Sequence, residues 1–238
     1  MTKIEVCASS LSSLINAEKY GADRIELCSE LGVGGVTPSI GFIEEALINS
    51  NIPIRVLIRP RSGHFFYSKD EIKVIKRDIR LMKSFGVEGI VIGLTDQFGN
   101  LPYNEISEIV HLADSMSLTF HRAFDVLINP TNELEKLIEL GFDTVLTSGQ
   151  KENAYDGICF LKEINNISSD RICIMPGGGV NAENCREISN IGFKWMHLSA
   201  KKNMYRSEKN KNKSLSFQSQ PFFEFDPKIL KIVKQKIS

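Results

Sequence analysis

The chain has 238 residues, 42% hydrophobic and 24% charged, with 29 Lys and Arg balancing 29 Asp and Glu, which fits one globular domain over 1–238 and gives no general attraction to nucleic acid or an anionic membrane. No apolar run approaches a membrane span, and Met1 to Glu5 leads straight into a strand pattern, so no signal peptide is expected. Five scattered cysteines without a C-x-x-C pair fit a reducing, cytoplasmic setting better than a disulfide framework.

The first element is Ile4-Glu5-Val6-Cys7, and its pattern returns at Ile25-Glu26-Leu27-Cys28. Both read as strands by alternation. Between them Leu11, Leu14, Ile15 and Ala17 recur at helical spacing, and Gly21-Ala22-Asp23 breaks that helix. Strand, helix, strand makes a βαβ unit with parallel neighbours, so Glu5, Cys7, Glu26 and Cys28 share one face. Further strands are expected at Pro53–Arg59, Gly89–Gly93, Ser117–Arg122, Thr144–Thr147, Arg171–Met175 and Trp195–Ser199. Helices are expected near Ser39–Asn49, Lys69–Phe85, Asn104–Ser115, Thr131–Leu140, Ala154–Asn165, Asn181–Asn190 and Asp226–Lys236, with Asn181 and Asp226 as N-caps and Pro130 and Pro227 at helix entries. Lys201 to Lys213, basic and Asn-rich, reads as a solvated loop. Alternating strands and helices in this number and length predict a single (β/α)8 TIM barrel. An open doubly wound sheet would more often carry a G-x-G-x-x-G after its first strand, where Ala8-Ser9-Ser10 stands.

In a barrel the strand C-termini carry the site. Cys7 and Cys28 end neighbouring strands about 4.8 Å apart, close enough to share one soft ion, and thiolate sulfur favours Cu(I). Either thiol could equally be ordinary core. Glu5, Glu26, Arg59 and His121 should face inward, with Leu27, Ile58 and Phe120 outward. That set is either a self-balancing ion network or a polar cup for a small anionic ligand. In the cup, Arg59 grips the anion, His121 acts as general acid or base under a neighbouring carboxylate (Glu5 or Glu26), and Asp125 stands nearby at the end of strand five. Gly177, Gly178 and Gly179, feeding a helix, form either a phosphate grip, with Ser199 as a further donor, or a tight turn. His197 and Ser199 end strand eight.

These segments resemble the CutC copper-homeostasis family. The similarity is carried by Ala22-Asp23-Arg24-Ile25-Glu26-Leu27-Cys28, Gly34-Gly35-Val36-Thr37-Pro38-Ser39, Ile58-Arg59-Pro60-Arg61, Thr119-Phe120-His121-Arg122-Ala123-Phe124-Asp125, Leu146-Thr147-Ser148-Gly149-Gln150 and Met204-Tyr205-Arg206. It runs from about Ile4 to Arg206. The resemblance implies a cytosolic TIM barrel, a homo-oligomer, with copper bound through thiols at the positions of Cys7 and Cys28. Ala8 and Phe66 stand where some relatives carry further cysteines, so this chain has fewer thiol ligands to offer. The second function the residues allow is an enzyme acting on a small, phosphorylated or otherwise anionic metabolite.

Overall fold

The computed structural model describes residues 2–204 and 222–237. Eight strands form one all-parallel sheet: β1 (Lys3–Ala8), β2 (Arg24–Leu27), β3 (Ile54–Leu57), β4 (Gly89–Ile92), β5 (Ser117–Phe120), β6 (Thr144–Thr147), β7 (Cys173–Pro176) and β8 (Trp195–Leu198). The hydrogen-bonded order is β7-β6-β5-β4-β3-β2-β1-β8, and β7 lies beside β8, so the sheet curls into a nearly closed barrel. Eight helices surround it: α1 (Leu11–Lys19), α2 (Ile40–Ile48), α3 (Lys69–Phe85), α4 (Tyr103–Ala113), α5 (Pro130–Glu139), α6 (Ile158–Ser168), α7 (Cys185–Ser189) and α8 (Pro227–Ile237).

Period-two alternation divides each strand between two environments. The outward residues Ile4, Val6, Ile25, Leu27, Val56, Ile58, Ile90, Phe120, Val145 and Met196 pack with the helices in one continuous apolar core. Burial of each such apolar side chain is worth about 1.5–3 kcal/mol. Helix starts are set locally. Ser10 Oγ accepts the Ser13 amide at the head of α1, and Ser68 and Glu71 form a reciprocal capping box on α3. Pro130 and Pro227 open α5 and α8.

Three expectations change in detail. The helix expected from Ala154 begins at Ile158, because Ala154 donates its amide to Gly178 O and the chain up to Gly157 is used in a turn against β6 and β7. The helix expected from Asn181 begins at Cys185. Asn181 instead closes an Asx turn, its Oδ1 accepting the amides of Glu183 and Asn184, and Asn184 takes the N-cap position. The stretch read as a loop from Lys201 starts as a strand, β9 (Lys201–Met204), paired antiparallel with β10 (Phe222–Phe225) in a separate two-stranded sheet. This hairpin leaves the eight-stranded barrel intact and is pinned where Asp226 donates its amide to Ala200 O. The rest of that basic stretch, with Tyr205 and Arg206, lies outside the described residues.

The barrel interior is filled by charge at its N-terminal end. Arg24 Nε donates to Glu5 Oε2 at 2.6 Å, with both side chains almost wholly buried. The Arg24 guanidinium also lies 4.0 Å from the centre of the Trp195 ring and meets Met175 Sδ. Arg55 reaches Glu88, Asp143, Thr119 and Thr144. Breaking a buried pair leaves an uncompensated charge. Arg24→Met is therefore expected to cost about 3–5 kcal/mol in urea unfolding, and the double variant Glu5→Met/Arg24→Met to regain much of that loss. Equal losses in the single and double variants would contradict this role.

Candidate functional site

A cavity of about 510 Å³ opens at the C-terminal end of the barrel. Its wall includes Cys7, Glu26, Arg59, His121, Asp125, Gly178, Gly179, His197, Ser199 and Lys201. The chain positions these residues by alternation. Cys7 follows Glu5 on the inner face of β1, Glu26 is on β2, Arg59 is two residues beyond β3 and His121 one beyond β5. Gly93, after β4, makes room for the imidazole: a Cβ there would stand 2.3 Å from His121 Nδ1.

One side of the cavity is acidic and thiol-bearing. Cys7 Sγ lies 3.2 Å from Cys28 Sγ and 3.5 Å from Glu26 Oε1. Cys28 is fully buried behind Cys7 among Leu57 and Val91. His197 Nδ1 is 2.8 Å from Glu5 Oε1 and 3.8 Å from Glu26 Oε2. Cys7, Glu26 and His197 bring one ligand atom each within 4.8 Å of one another. Burial opposes charge on Glu5, yet Arg24 and His197 hold its carboxyl down at about 2. Burial likewise opposes protonation of His197, but Glu26, Cys7 and Glu5 together raise it well above the usual histidine range, so it is an imidazolium at neutral pH. Glu26 is raised, first by burial and then by Glu5, against the pull of His197. The hydrogen bond from Cys28, with burial, pushes the Cys7 thiol well up.

The opposite side is a wall of donors. Arg59 Nη1 bonds Val33 O and Gly35 O, and Nη2 bonds Gly63 O, while the Phe65 ring lies 5.2 Å from the guanidinium carbon. The same ring sits 4.8 Å from His121. The Ala123 amide donates to His121 Nδ1, which places the ring proton on Nε2. Burial, then the Arg59 charge, push His121 down to about 3, so the ring is neutral at physiological pH. The charge that tunes His121 is thus the cation Arg59, where a carboxylate was expected; Glu5 and Glu26 face His197 instead. Three buried atoms around this one cavity have no hydrogen-bond partner among the described residues: Glu26 Oε2, Arg59 Nε and His121 Nε2.

The remaining expected residues divide. Asp125 lines the cavity, but its oxygens accept from Thr147 Oγ1, Ser148 N and Oγ, Gln150 N and Arg122 Nε. That carboxylate fastens the loop after β6. Gly178, Gly179 and Ser199 line the cavity, whereas Gly177 donates its amide to Thr147 O and sits in the wall between Leu146 and His197. Gly178 has φ +90°, a conformation that favours glycine, and a Cβ there would stand 3.0 Å from Arg122 Nη1, which would have to yield slightly. His197 is the residue whose part sequence reasoning missed. It was placed at the end of strand eight, but nothing local marks it. The usable signal is register: Glu5 and His197 are directly paired across β1 and β8, on the same inward face.

A parallel barrel with ionisable side chains gathered at its strand ends defines a (β/α)8 protein with its site at the barrel mouth. The comparisons narrow this class. The CutC family pattern matches residues 2–202, and the chain belongs to that family. A CutC family protein of Pasteurella multocida is 44% identical over 200 residues, covering 84% of this chain and 82% of the relative. The human copper homeostasis protein cutC homolog is 41% identical over 214 residues, covering 90% and 78%. A crystal structure of CutC from Streptococcus agalactiae superposes with a TM-score of 0.80 at 33% identity, over 84% of this chain and 99% of that one. Among the described residues no helix is long and apolar enough to cross a membrane.

The two charge states carry opposite pH signatures. His121, held at about 3 against 6.5 unfolded, binds its proton only in the unfolded chain over that window. Its contribution is complete above pH 6.5 and erodes as pH falls toward 3, by roughly 1.4 kcal/mol for each pH unit. His121→Gln is expected to flatten the acid limb of a stability–pH curve between those limits. An acid limb of unchanged slope in that variant would contradict the assignment.

Proposed function

We propose that the chain serves copper homeostasis in the cytoplasm by binding Cu(I) between Cys7 and Cys28. The observation that carries this reading is the 3.2 Å approach of two buried sulfurs at the barrel mouth. Two metal–sulfur bonds of about 2.3 Å bridge sulfurs up to ~4.6 Å apart, so small side-chain adjustments suffice. Soft sulfur prefers Cu(I), and Glu26 and His197 stand beside Cys7. The relative named for copper homeostasis supports the same direction. Because the Cys7 thiol is raised, loading an ion displaces a proton, and affinity rises with pH. Competition titration with a chromophoric Cu(I) chelator tests the site: Cys7→Ser and Cys28→Ser are each expected to lose most of the affinity, and replacement of Cys159, Cys173 and Cys185 none. Unchanged binding in the Cys7/Cys28 double variant would remove the proposal.

A second reading rests on a different observation, the unpartnered Glu26 Oε2, Arg59 Nε and His121 Nε2 around one cavity. Buried polar atoms left unsatisfied carry a cost that a bound ligand relieves. The cup suits a small anionic or phosphorylated metabolite, with Asp125 positioning the loop beside it. Thermal-shift screening of anionic metabolites, with and without Cu(I), checks it, since any ligand of the folded state raises the melting temperature.

A further inference from the structure

We propose that the cavity catalyses proton transfer at a carbon next to a carbonyl in a small phosphorylated aldose or ketose, with Glu26 as the base and His121 and Arg59 holding the oxyanion. This rests on the ligand-cup reading above and specifies its substrate class.

The geometry separates two functions across one space. On the donor side, His121 offers a fixed Nε2–H, because Nδ1 already accepts from Ala123. Arg59 is held by three backbone carbonyls and keeps Nε without a partner. Both pack on Phe65, so both are immobilised on the same surface. Fixed donors, one neutral and one cationic, suit an oxygen that gains negative charge, and they need no reorganisation as the charge develops. On the other side Glu26 Oε2 makes no hydrogen bond among the described residues, with Cys7 on its other oxygen. His197, itself fixed by Glu5, steadies the carboxylate form from 3.8 Å. A third feature selects a phosphate on the substrate. Gly178, Gly179, Ser199 and Lys201 line the same cavity, and the amides of Gly178 and Gly179 have no partner among the described residues.

The step balances without a co-reactant. Glu26 takes the proton from the carbon beside the carbonyl, and the C–H electron pair becomes a C=C bond. The carbonyl π pair moves onto oxygen, giving an enediolate whose charge faces His121 Nε2–H and Arg59. Glu26, now protonated, returns the proton to either carbon. Return to the same carbon regenerates substrate; return to the former carbonyl carbon, with the hydroxyl proton of the other carbon passing to the former carbonyl oxygen, leaves the carbonyl on that other carbon and isomerises the sugar.

The test uses the full chain freed of metal by chelation, at neutral pH in D2O. A panel of short phosphorylated aldoses and ketoses, dihydroxyacetone phosphate among them, is followed by proton NMR for loss of the C–H signal beside the carbonyl. 2-Phosphoglycolate, a planar mimic of the enediolate with its phosphate, is assayed in parallel by thermal shift. The expected result is exchange above the buffer rate for at least one panel member and a rise in melting temperature with 2-phosphoglycolate that inorganic phosphate alone does not match. Glu26→Gln should slow exchange about 10²–10⁴-fold while still binding 2-phosphoglycolate, which also shows that the variant is folded. His121→Gln should slow exchange roughly 10²–10³-fold. Binding of 2-phosphoglycolate with no exchange in any panel member overturns proton transfer but leaves the cup. No thermal shift with any anion and no exchange overturns both. Exchange unaffected by Glu26→Gln overturns the assignment of the base.

Discussion

A carboxylate sits at the centre of this barrel with no access to solvent. Glu5 is fully buried, and it stays ionised because Arg24 holds one oxygen from below and His197 the other from above. Burying such a charge alone would be prohibitive, so its partners are fixed in place by the need to compensate it. The consequences run upward. His197, committed to Glu5, is cationic and stands beside Glu26 and Cys7. The floor of the barrel and the chemistry of its mouth are thus one electrostatic unit, linked through a single side chain on β1.

Across the cavity the same low-polarity surroundings do the opposite. Burial and the Arg59 charge discourage a proton on His121, and no carboxylate among the described residues offsets them, so it remains neutral with a defined tautomer. Two histidines within one barrel mouth are driven to opposite states by their neighbours. The thiol pair belongs to the acidic side: Cys7 contacts Glu26 directly. An ion held by the thiols would therefore sit beside the group proposed as the base, and copper and an anionic ligand would influence each other's binding through Glu26. The coupling is a property of the shared residues, whichever occupant is the physiological one.

Much of this was legible in the sequence. Alternation in Ile4-Glu5-Val6-Cys7 and Ile25-Glu26-Leu27-Cys28 fixed the facing of four side chains, and the structure places Leu27, Ile58 and Phe120 outward against the helices as expected. The barrel followed from the strand–helix rhythm. What local pattern could not show was which charges would meet. His121 and Glu26 both face inward, but only closure of the ring decides that Glu26 meets His197 and His121 meets Arg59. Nor could it show that Asp125 would exhaust its oxygens on the loop after β6, which depends on loops from different strands packing together, or that Gly177 would lend its amide to Thr147, which depends on the register of β7 against β6. The strand at Lys201–Met204 was hidden for a related reason: its lysines and asparagine carry little strand propensity, and pairing with Phe222–Phe225 supplies the order.

The central claim is that the buried charge on Glu5 and the cation Arg59 set the two histidines to opposite protonation states. Nitrogen-15 spectra of the imidazole rings at pH 7, with assignments from His121→Gln and His197→Gln, test it most directly. The account predicts a neutral His121 protonated at Nε2 and a doubly protonated His197. A neutral His197 at that pH, or a His121 that titrates near 6.5, its ordinary value, would contradict it.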